Sequence, residues 1–157
     1  MKLITVADMS AMSAQAAELP RLRSHLTLHD DLNEPVQRLA IAMEPGTYIR
    51  PHRHRHTWEL LTPLCGRFVV LQFDDNGAVS QRTLLGEKNK VLEMTAGTWH
   101  AVLSIDSGGV IFEVKKGPYQ PLAEQDCMPW APPEGAEATE AVMRWYATAQ
   151  VGDHFPH

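Results

Sequence analysis

Four side chains suited to binding a transition metal fall into two short stretches of the sequence. His52 and His54 are separated by one residue, Glu59 follows shortly after them, and His100 lies far along the chain. In an extended segment alternate side chains point to the same side, about 6–7 Å apart, so His52 and His54 could bind one ion. Three imidazoles and one carboxylate suit a divalent transition metal such as Fe, Zn, Mn or Ni, without identifying which. In an octahedral geometry two positions would stay open for water or a substrate.

Four further side chains are candidates for chemistry beside such a metal. Tyr48 and Arg50 share the alternation of the two neighbouring histidines, whereas Arg38 and Glu113 each lie between apolar residues of predicted strands. Tyr48 and Glu113 could move a proton during catalysis, and Arg38 and Arg50 could bind an anionic substrate. Each has a structural alternative: a core tyrosine, a paired carboxylate, or an arginine salt bridge at the rim. His56 continues the alternation, but the turn that follows is expected to leave it exposed.

The segments that would carry these side chains are predicted to be short β-strands. Val36–Met43 is one candidate, and residues 67–73 are rich in β-branched and aromatic residues, which favour strands. Residues 74–77 end in Asn-Gly, which is typical of a hairpin turn. Further strands are predicted over residues 58–62, 78–85, 91–94, 99–105 and 110–114. Short strands at intervals of about ten residues predict a β-sandwich or barrel.

Helices are predicted at both ends of this β-rich region. Residues 8–19 have apolar side chains at helical spacing, with Asp8 as the expected N-cap and Pro20 marking the end. Residues 21–35 are expected to form a loop or short strands. Residues 117–135 are rich in proline and predict an ordered, wrapping loop. Residues 137–149 predict a closing helix with an apolar face formed by Val142, Trp145, Tyr146 and Ala149.

Composition narrows the class of protein. A length of 157 residues suits one domain, and 44% apolar with 21% charged residues argues against intrinsic disorder. The net charge of −5 makes a nucleic-acid partner unexpected, because that function usually needs a basic face. No apolar run is long enough to span a bilayer, and no secretory pattern opens the chain, so we expect no membrane partner and a cytoplasmic location. Two cysteines are too few for a disulfide framework.

The spacing of the glycines and the metal-binding residues resembles the cupin superfamily. All five positions of the first cupin motif match, at Gly46, His52, His54, Glu59 and Gly66. In the second motif Gly97 and His100 match, whereas Thr95, Asn89 and Ser104 replace the usual proline, glycine and asparagine. The resemblance implies an all-β fold, the cupin double-stranded β-helix or jelly-roll barrel, with short N- and C-terminal helical extensions. It also implies that His52, His54, Glu59 and His100 are the metal ligands.

A narrower resemblance, to the WbuC-type cupin-fold metalloproteins, covers most of the chain. It rests on residues 35–38, 45–48, 50–54, 58–59, 96–100, 112–115, 117–119 and 130–132. It implies a single cupin domain over residues 1–157. This domain would comprise an N-terminal helix and arm (1–34), the barrel (35–116), and a proline-rich wrap with a C-terminal helix (117–157). Some members of that family are encoded in bacterial polysaccharide gene clusters, which implies a link to polysaccharide biosynthesis but no established reaction.

Three functions are compatible with these residues. The first is a small metalloenzyme acting on a polar or anionic metabolite such as a sugar derivative, by Lewis-acid chemistry of the isomerase or epimerase kind. The second is an Fe-dependent oxygenase, and the third is a non-catalytic module that binds or senses a small molecule through the metal. The expected partner is a small-molecule ligand. A homodimer formed through sheet edges is also predicted.

Overall fold

Two antiparallel sheets form the centre of the molecule in the computed structural model, which describes residues 1–156. The first sheet contains β1 (Arg23–Thr27), β2 (Val36–Met43), β3 (Glu59–Cys65), β6 (Leu92–Met94) and β8 (Gly109–Lys116), in the order β1-β2-β8-β3-β6. The second contains β4 (Phe68–Phe73), β5 (Val79–Leu85) and β7 (Trp99–Ser104), in the order β5-β4-β7. Two packed sheets with non-sequential neighbours form a jelly roll, which confirms the predicted fold class.

The strands follow from local sequence signals. β2 has the predicted bounds at both ends, and β3 begins at Glu59 and continues to Cys65, past the predicted stretch. The turn at 74–77 joins β4 to β5, with Gly77 at a φ of +86° and the Asp74 carboxylate accepting the N–H groups of Asn76 and Ala78 at 2.9 Å. A positive φ at this position is readily adopted only by glycine, so the Asn-Gly signal located the hairpin correctly.

Helix α1 (Val6–Glu18) covers the outer face of the first sheet. Its buried residues Met12 and Ala16 pack against Ala40, Ala42 and Val110. These positions alternate with the inward-facing residues of the strands, so α1 lies on the side of the sheet away from its partner sheet. The helix therefore seals the sheet and leaves the interior between the two sheets free for a site.

The prediction that Asp8 caps α1 is wrong. Thr5 is the N-cap: its hydroxyl accepts the Asp8 N–H at 3.2 Å, and the Asp8 carboxylate accepts the Thr5 N–H at 2.7 Å. Both residue types occur in a capping box, and the box places the acidic residue three positions inside the helix. The helix thus begins earlier than the apolar spacing indicated.

The C-terminal region wraps back over the sheets. It contains a short 3-10 helix (Glu124–Asp126) and helix α2 (Thr139–Thr148), whose Val142 and Tyr146 are fully buried. An aromatic cluster beside α2 joins it to the second sheet, through Phe73, Trp130, Trp145 and Phe155. No helix within residues 1–156 is long and apolar enough to cross a membrane. Position 157, which ends the predicted segment 117–157, lies outside the described residues.

Candidate metal centre

Three histidines converge at one end of the space between the sheets. His52 lies in an extended segment before β3 and exchanges two backbone hydrogen bonds with His100 of β7, at 3.0 and 2.8 Å. The carbonyl of His54 accepts the Gly97 N–H at 2.8 Å, which fixes the same segment to the turn before β7. One ring nitrogen from each of His52, His54 and His100 lies within 4.8 Å of the others. The three side chains could therefore hold one metal ion.

Backbone carbonyls orient two of the rings. The Nδ1 atom of His52 lies 2.8 Å from the carbonyl of Arg50, and the Nδ1 atom of His100 lies 3.0 Å from the carbonyl of Thr98. Because a carbonyl only accepts hydrogen bonds, Nδ1 donates in both rings and Nε2 is left to face the shared centre. Metal-binding histidines commonly make this second hydrogen bond, which sets the tautomer and the ring orientation.

The protonation states of two rings suit a metal. Burial, with the neighbouring histidines as a further cause, lowers the pKa of His52 to about 3. Burial also lowers the pKa of His54 to about 4, against the opposing charge of Glu59. Both imidazoles are therefore neutral at pH 7 and offer lone pairs, as metal binding requires.

Glu59 provides a carboxylate at the same centre. It is the first residue of β3 and is buried, with Oε2 2.9 Å from His100 Nε2 and Oε1 3.9 Å from His54 Nε2. Burial alone would lower the pKa of His100, but the hydrogen bond and charge of Glu59 outweigh it and raise that pKa. The three imidazoles suit a divalent transition metal, and the Glu59 carboxylate lies beside two of them; its role as a fourth ligand stays a prediction.

A second carboxylate and an amine lie beside Glu59. The Nζ atom of Lys115 lies 2.6 Å from Glu113 Oε1 and 3.6 Å from Glu59 Oε1. Burial and the charge of Glu59 raise the pKa of Glu113, although Lys115 opposes that shift. Sequence reasoning found Glu113 and missed Lys115. The signal was available, because strand alternation places residues two apart on the same face of β8.

The four candidate residues predicted to lie beside the metal fall into two groups in the structure. Glu113 and Arg50 line the cavity that contains the histidines. The Arg50 guanidinium is already bound there, to Glu124 at 2.8 and 2.9 Å and to the Ala131 carbonyl at 3.0 Å.

Tyr48 and Arg38 do not line this cavity, which corrects the positions predicted for them. Tyr48 is buried in the core beside Tyr146 and donates its hydroxyl to the Pro132 carbonyl at 2.9 Å. Its segment is not a regular strand, so the alternation carried back from His52 fails. Arg38 pairs with Glu34, because its neighbours Gln37 and Leu39 are the β2 residues that face inward.

The cavity has a volume of about 610 Å³, within the range of small-molecule sites. His52, His54, Glu59 and His100 lie on its wall with Glu113 and Lys115. His56 is exposed and is not part of the histidine cluster, as expected. The candidate metal centre is thus enclosed by the barrel and opens to a space that a metabolite could enter.

Comparison with known proteins identifies the fold of this chain but not the activity of the protein. A family model described as a domain of unknown function (DUF6016) matches residues 4–85, just over half of the chain. No curated protein matches the sequence significantly. Solved structures of similar fold include KdgF from a Halomonas species, TT1209 from Thermus thermophilus, and oxalate oxidase in complex with glycolate.

The structural similarity is clear and the sequence identity is low. KdgF has a TM-score of 0.52 at 12% identity, covering 66% of this chain and 85% of its own. TT1209 has a TM-score of 0.55 at 15% identity, covering 74% and 97%. Oxalate oxidase has a TM-score of 0.54 at 15% identity, covering 68% of this chain and 57% of its own, so the chain spans little over half of that protein. These similarities show the cupin fold alone.

Proposed function

Because the chain belongs to the DUF6016 family and has the jelly-roll fold of the cupins, we propose that it is a metal-dependent enzyme. It would act on a small molecule with an anionic or carbonyl oxygen group and transfer a proton within it. One observation carries the proposal. Three imidazoles and a carboxylate meet on the wall of one cavity, and the same wall carries a second carboxylate, which is paired with Lys115.

His52, His54, His100 and Glu59 would hold the metal. When bound, such a metal supplies Lewis-acid polarisation of a substrate oxygen. The Nδ1 bonds of His52 and His100 to backbone carbonyls keep these rings in place without help from the ion. The binding geometry is therefore largely preorganised, which lowers the entropic cost of binding.

Glu113 is the residue proposed to move the proton. It faces the cavity and lies beyond the four ligands, so its carboxylate stays available to a substrate. Carboxyl groups whose pKa is raised by burial serve well as general bases or acids near neutral pH. Lys115 holds this carboxylate in position by the 2.6 Å ion pair.

The finer predictions from the sequence extend this proposal. Isomerase or epimerase chemistry needs only a Lewis-acid metal and the proton transfer described. An oxygenase needs a redox-active metal and molecular oxygen. A binding or sensing module needs neither. The WbuC resemblance and the link to polysaccharide biosynthesis stay predictions, since the DUF6016 description names no activity.

Deuterium exchange tests the proposed proton transfer. Protein loaded with Zn(II) or Mn(II) is incubated in D₂O under nitrogen with a panel of 2-oxo acids, and loss of the protons next to the carbonyl is followed by ¹H NMR. We expect catalysed exchange by the parent, and a fall of at least about 100-fold in Glu113→Gln with the metal content unchanged. His56→Ala is the matched histidine control and should retain full exchange, because His56 lies outside the cluster.

Two other outcomes would overturn the proposal. Saturable binding without exchange would identify a binding module. Consumption of the acid only in air, with a requirement for Fe, would identify an oxygenase.

A further inference from the structure

On three strands, the side chains that line the cavity change from polar to aliphatic between one inward-facing residue and the next. On β3 the inward residues are Glu59 and then Leu61, and on β7 they are His100 and then Val102. On β8, Glu113 is followed inward by Ile111. We infer that this site takes a small amphipathic acid, with its acid group at the histidine end and an apolar body on the aliphatic wall. This inference rests on the proposed function and names its substrate class.

Strand β2 extends the aliphatic wall beside β8 in the same sheet. Its inward side chains are Leu39, Ile41 and Met43, and Ile41 is directly paired with Ile111 across the sheet. Leu39 and Ile41 are only partly buried because they face the open space. A ligand that reaches the histidines therefore has a continuous aliphatic surface on β2, β3, β7 and β8 to lie against.

Several polar side chains on the cavity wall are already bound by the protein. Gln37 donates its amide to the carbonyls of Glu34 and Leu32, at 2.9 and 3.3 Å. His29 uses Nδ1 on the backbone of Arg38, and Arg50 is held by Glu124. A sugar would bring several hydroxyls to the aliphatic part of this wall, which offers them no partners, and each unpaired buried hydroxyl is unfavourable. An apolar body has no such groups to satisfy.

The opening of the cavity also favours an amphipathic anion. Leu32, Tyr119 and Leu122 line it and remain 55%, 48% and 42% exposed, so the apolar surface continues outward. At the edge formed by β1, Arg21 and Arg23 share the single carboxylate of Glu134. This arrangement leaves a net positive charge at the rim, which attracts an anion to the cavity.

Three 2-hydroxy acids with one common head group test the substrate class. Glycolate presents the head group alone, and 2-hydroxy-4-methylpentanoate adds an isobutyl body to it. Gluconate adds a body with the same number of carbons as the isobutyl group, but a hydroxylated one. Binding to the metal-loaded protein is measured by isothermal titration calorimetry. We expect the isobutyl acid to bind at least about ten-fold more tightly than either of the others. Equal or tighter binding of gluconate would overturn the inference.

Variants of the wall locate the preference. Val102→Thr and Ile41→Thr keep a β-branched shape and add a hydroxyl to the wall, so each should reduce the advantage of the isobutyl acid over gluconate several-fold. Val36→Thr is the matched control, because Val36 lies on β2 outside the cavity and is 38% exposed. An unchanged preference in both wall variants would also contradict the inference.

Metal content separates this inference from the proposed function. The same titrations are made with the His52→Ala/His100→Ala protein and with the parent after its metal content is measured. If the parent holds no metal but prefers the isobutyl acid, the metal-dependent function fails and the substrate class stands. If the parent holds metal and does not distinguish the acids, the substrate class alone fails.

Discussion

Lys115 links the two carboxylates beside the histidines. Its ammonium group lies between Glu113 and Glu59, and all three side chains are largely buried. Burying charges is unfavourable unless each is compensated, so the two carboxylates depend on Lys115 in the metal-free protein. The charges of Glu113 and Glu59 in turn raise the pKa of Lys115 against the effect of burial.

Removing this amine should therefore destabilise the metal-free protein. We expect Lys115→Met to lower the free energy of unfolding by about 3–5 kcal/mol, because it leaves a buried carboxylate unpaired. The double variant Lys115→Met/Glu113→Gln should recover part of that loss, as measured by urea denaturation. Lys116→Met is the control on the same strand, since Lys116 is exposed. Equal stability of the single and double variants would contradict the coupling.

The histidine cluster was predicted more accurately than the residues around it. His52, His54 and His100 were identified from their spacing together with the cupin resemblance, and the structure brings them together. Tyr48 was misplaced because the alternation of side chains was extended from His52 into a segment that is not a strand. Arg38 was misplaced because the inward-facing residues of β2 are its neighbours Gln37 and Leu39. Where a side chain points depends on the first residue of each strand, which the sequence locates only approximately.

The wrap segment, residues 124–133, runs alongside the segment that carries His52. Arg53 donates its N–H to the Asp126 carbonyl at 3.0 Å, and Met128 donates its N–H to the Pro51 carbonyl at 2.8 Å. The Asp126 carboxylate also accepts hydrogen bonds from Arg53, at 3.2 Å, and from Arg55. Asp126 thus holds two residues that alternate with the histidines.

Loss of this carboxylate should loosen the histidine segment. We expect Asp126→Ala to weaken metal binding several-fold and to lower the thermal midpoint of the metal-free protein. Competition with a chromophoric chelator measures the metal affinity. Glu140→Ala removes a carboxylate from an exposed pair on α2 and should leave metal affinity unchanged. The role assigned to Asp126 is wrong if both variants behave alike.

Helix α1 should contribute to stability without contributing to the site. Thr5→Ala removes the N-cap hydroxyl and should lower the free energy of unfolding by about 1 kcal/mol. Ser10→Ala, in the same helix but bonded only to the Val6 carbonyl, should have a smaller effect. Metal content should be unchanged in both, since α1 packs on the outer face of the first sheet. A parallel loss of metal in Thr5→Ala would show that the helix supports the site.

Element types were more predictable than their ends. β2 and the 74–77 turn were located because strand composition and the Asn-Gly turn agree with each other. The start of α1 was predicted too late, because apolar spacing begins inside the helix. Its true start is set by the capping box between Thr5 and Asp8. The wrap segment, residues 124–133, lies within the predicted proline-rich loop. Nothing in its composition indicates that it runs along the segment that carries His52.

At the scale of the whole molecule, the jelly roll explains why distant residues share a site. Its two sheets bring β3 and β8 opposite β7, so side chains from the beginning, middle and end of the barrel face one space. The fold class followed from strand number and spacing, together with the cupin resemblance. The aliphatic wall was not predicted, because it depends on which strands face each other across the cavity. The predicted single domain and homodimer stay predictions.

Metal content is the most direct test of the central claim. Untagged protein is purified without a metal column, and its metals are measured by inductively coupled plasma mass spectrometry, beside His52→Ala/His100→Ala and the His56→Ala control. We predict about one divalent transition metal per chain in the parent and in His56→Ala, and almost none in the double variant. A parent that carries no metal and takes up none of Fe, Zn, Mn or Ni would contradict the account, as would a double variant that binds metal as well as the parent.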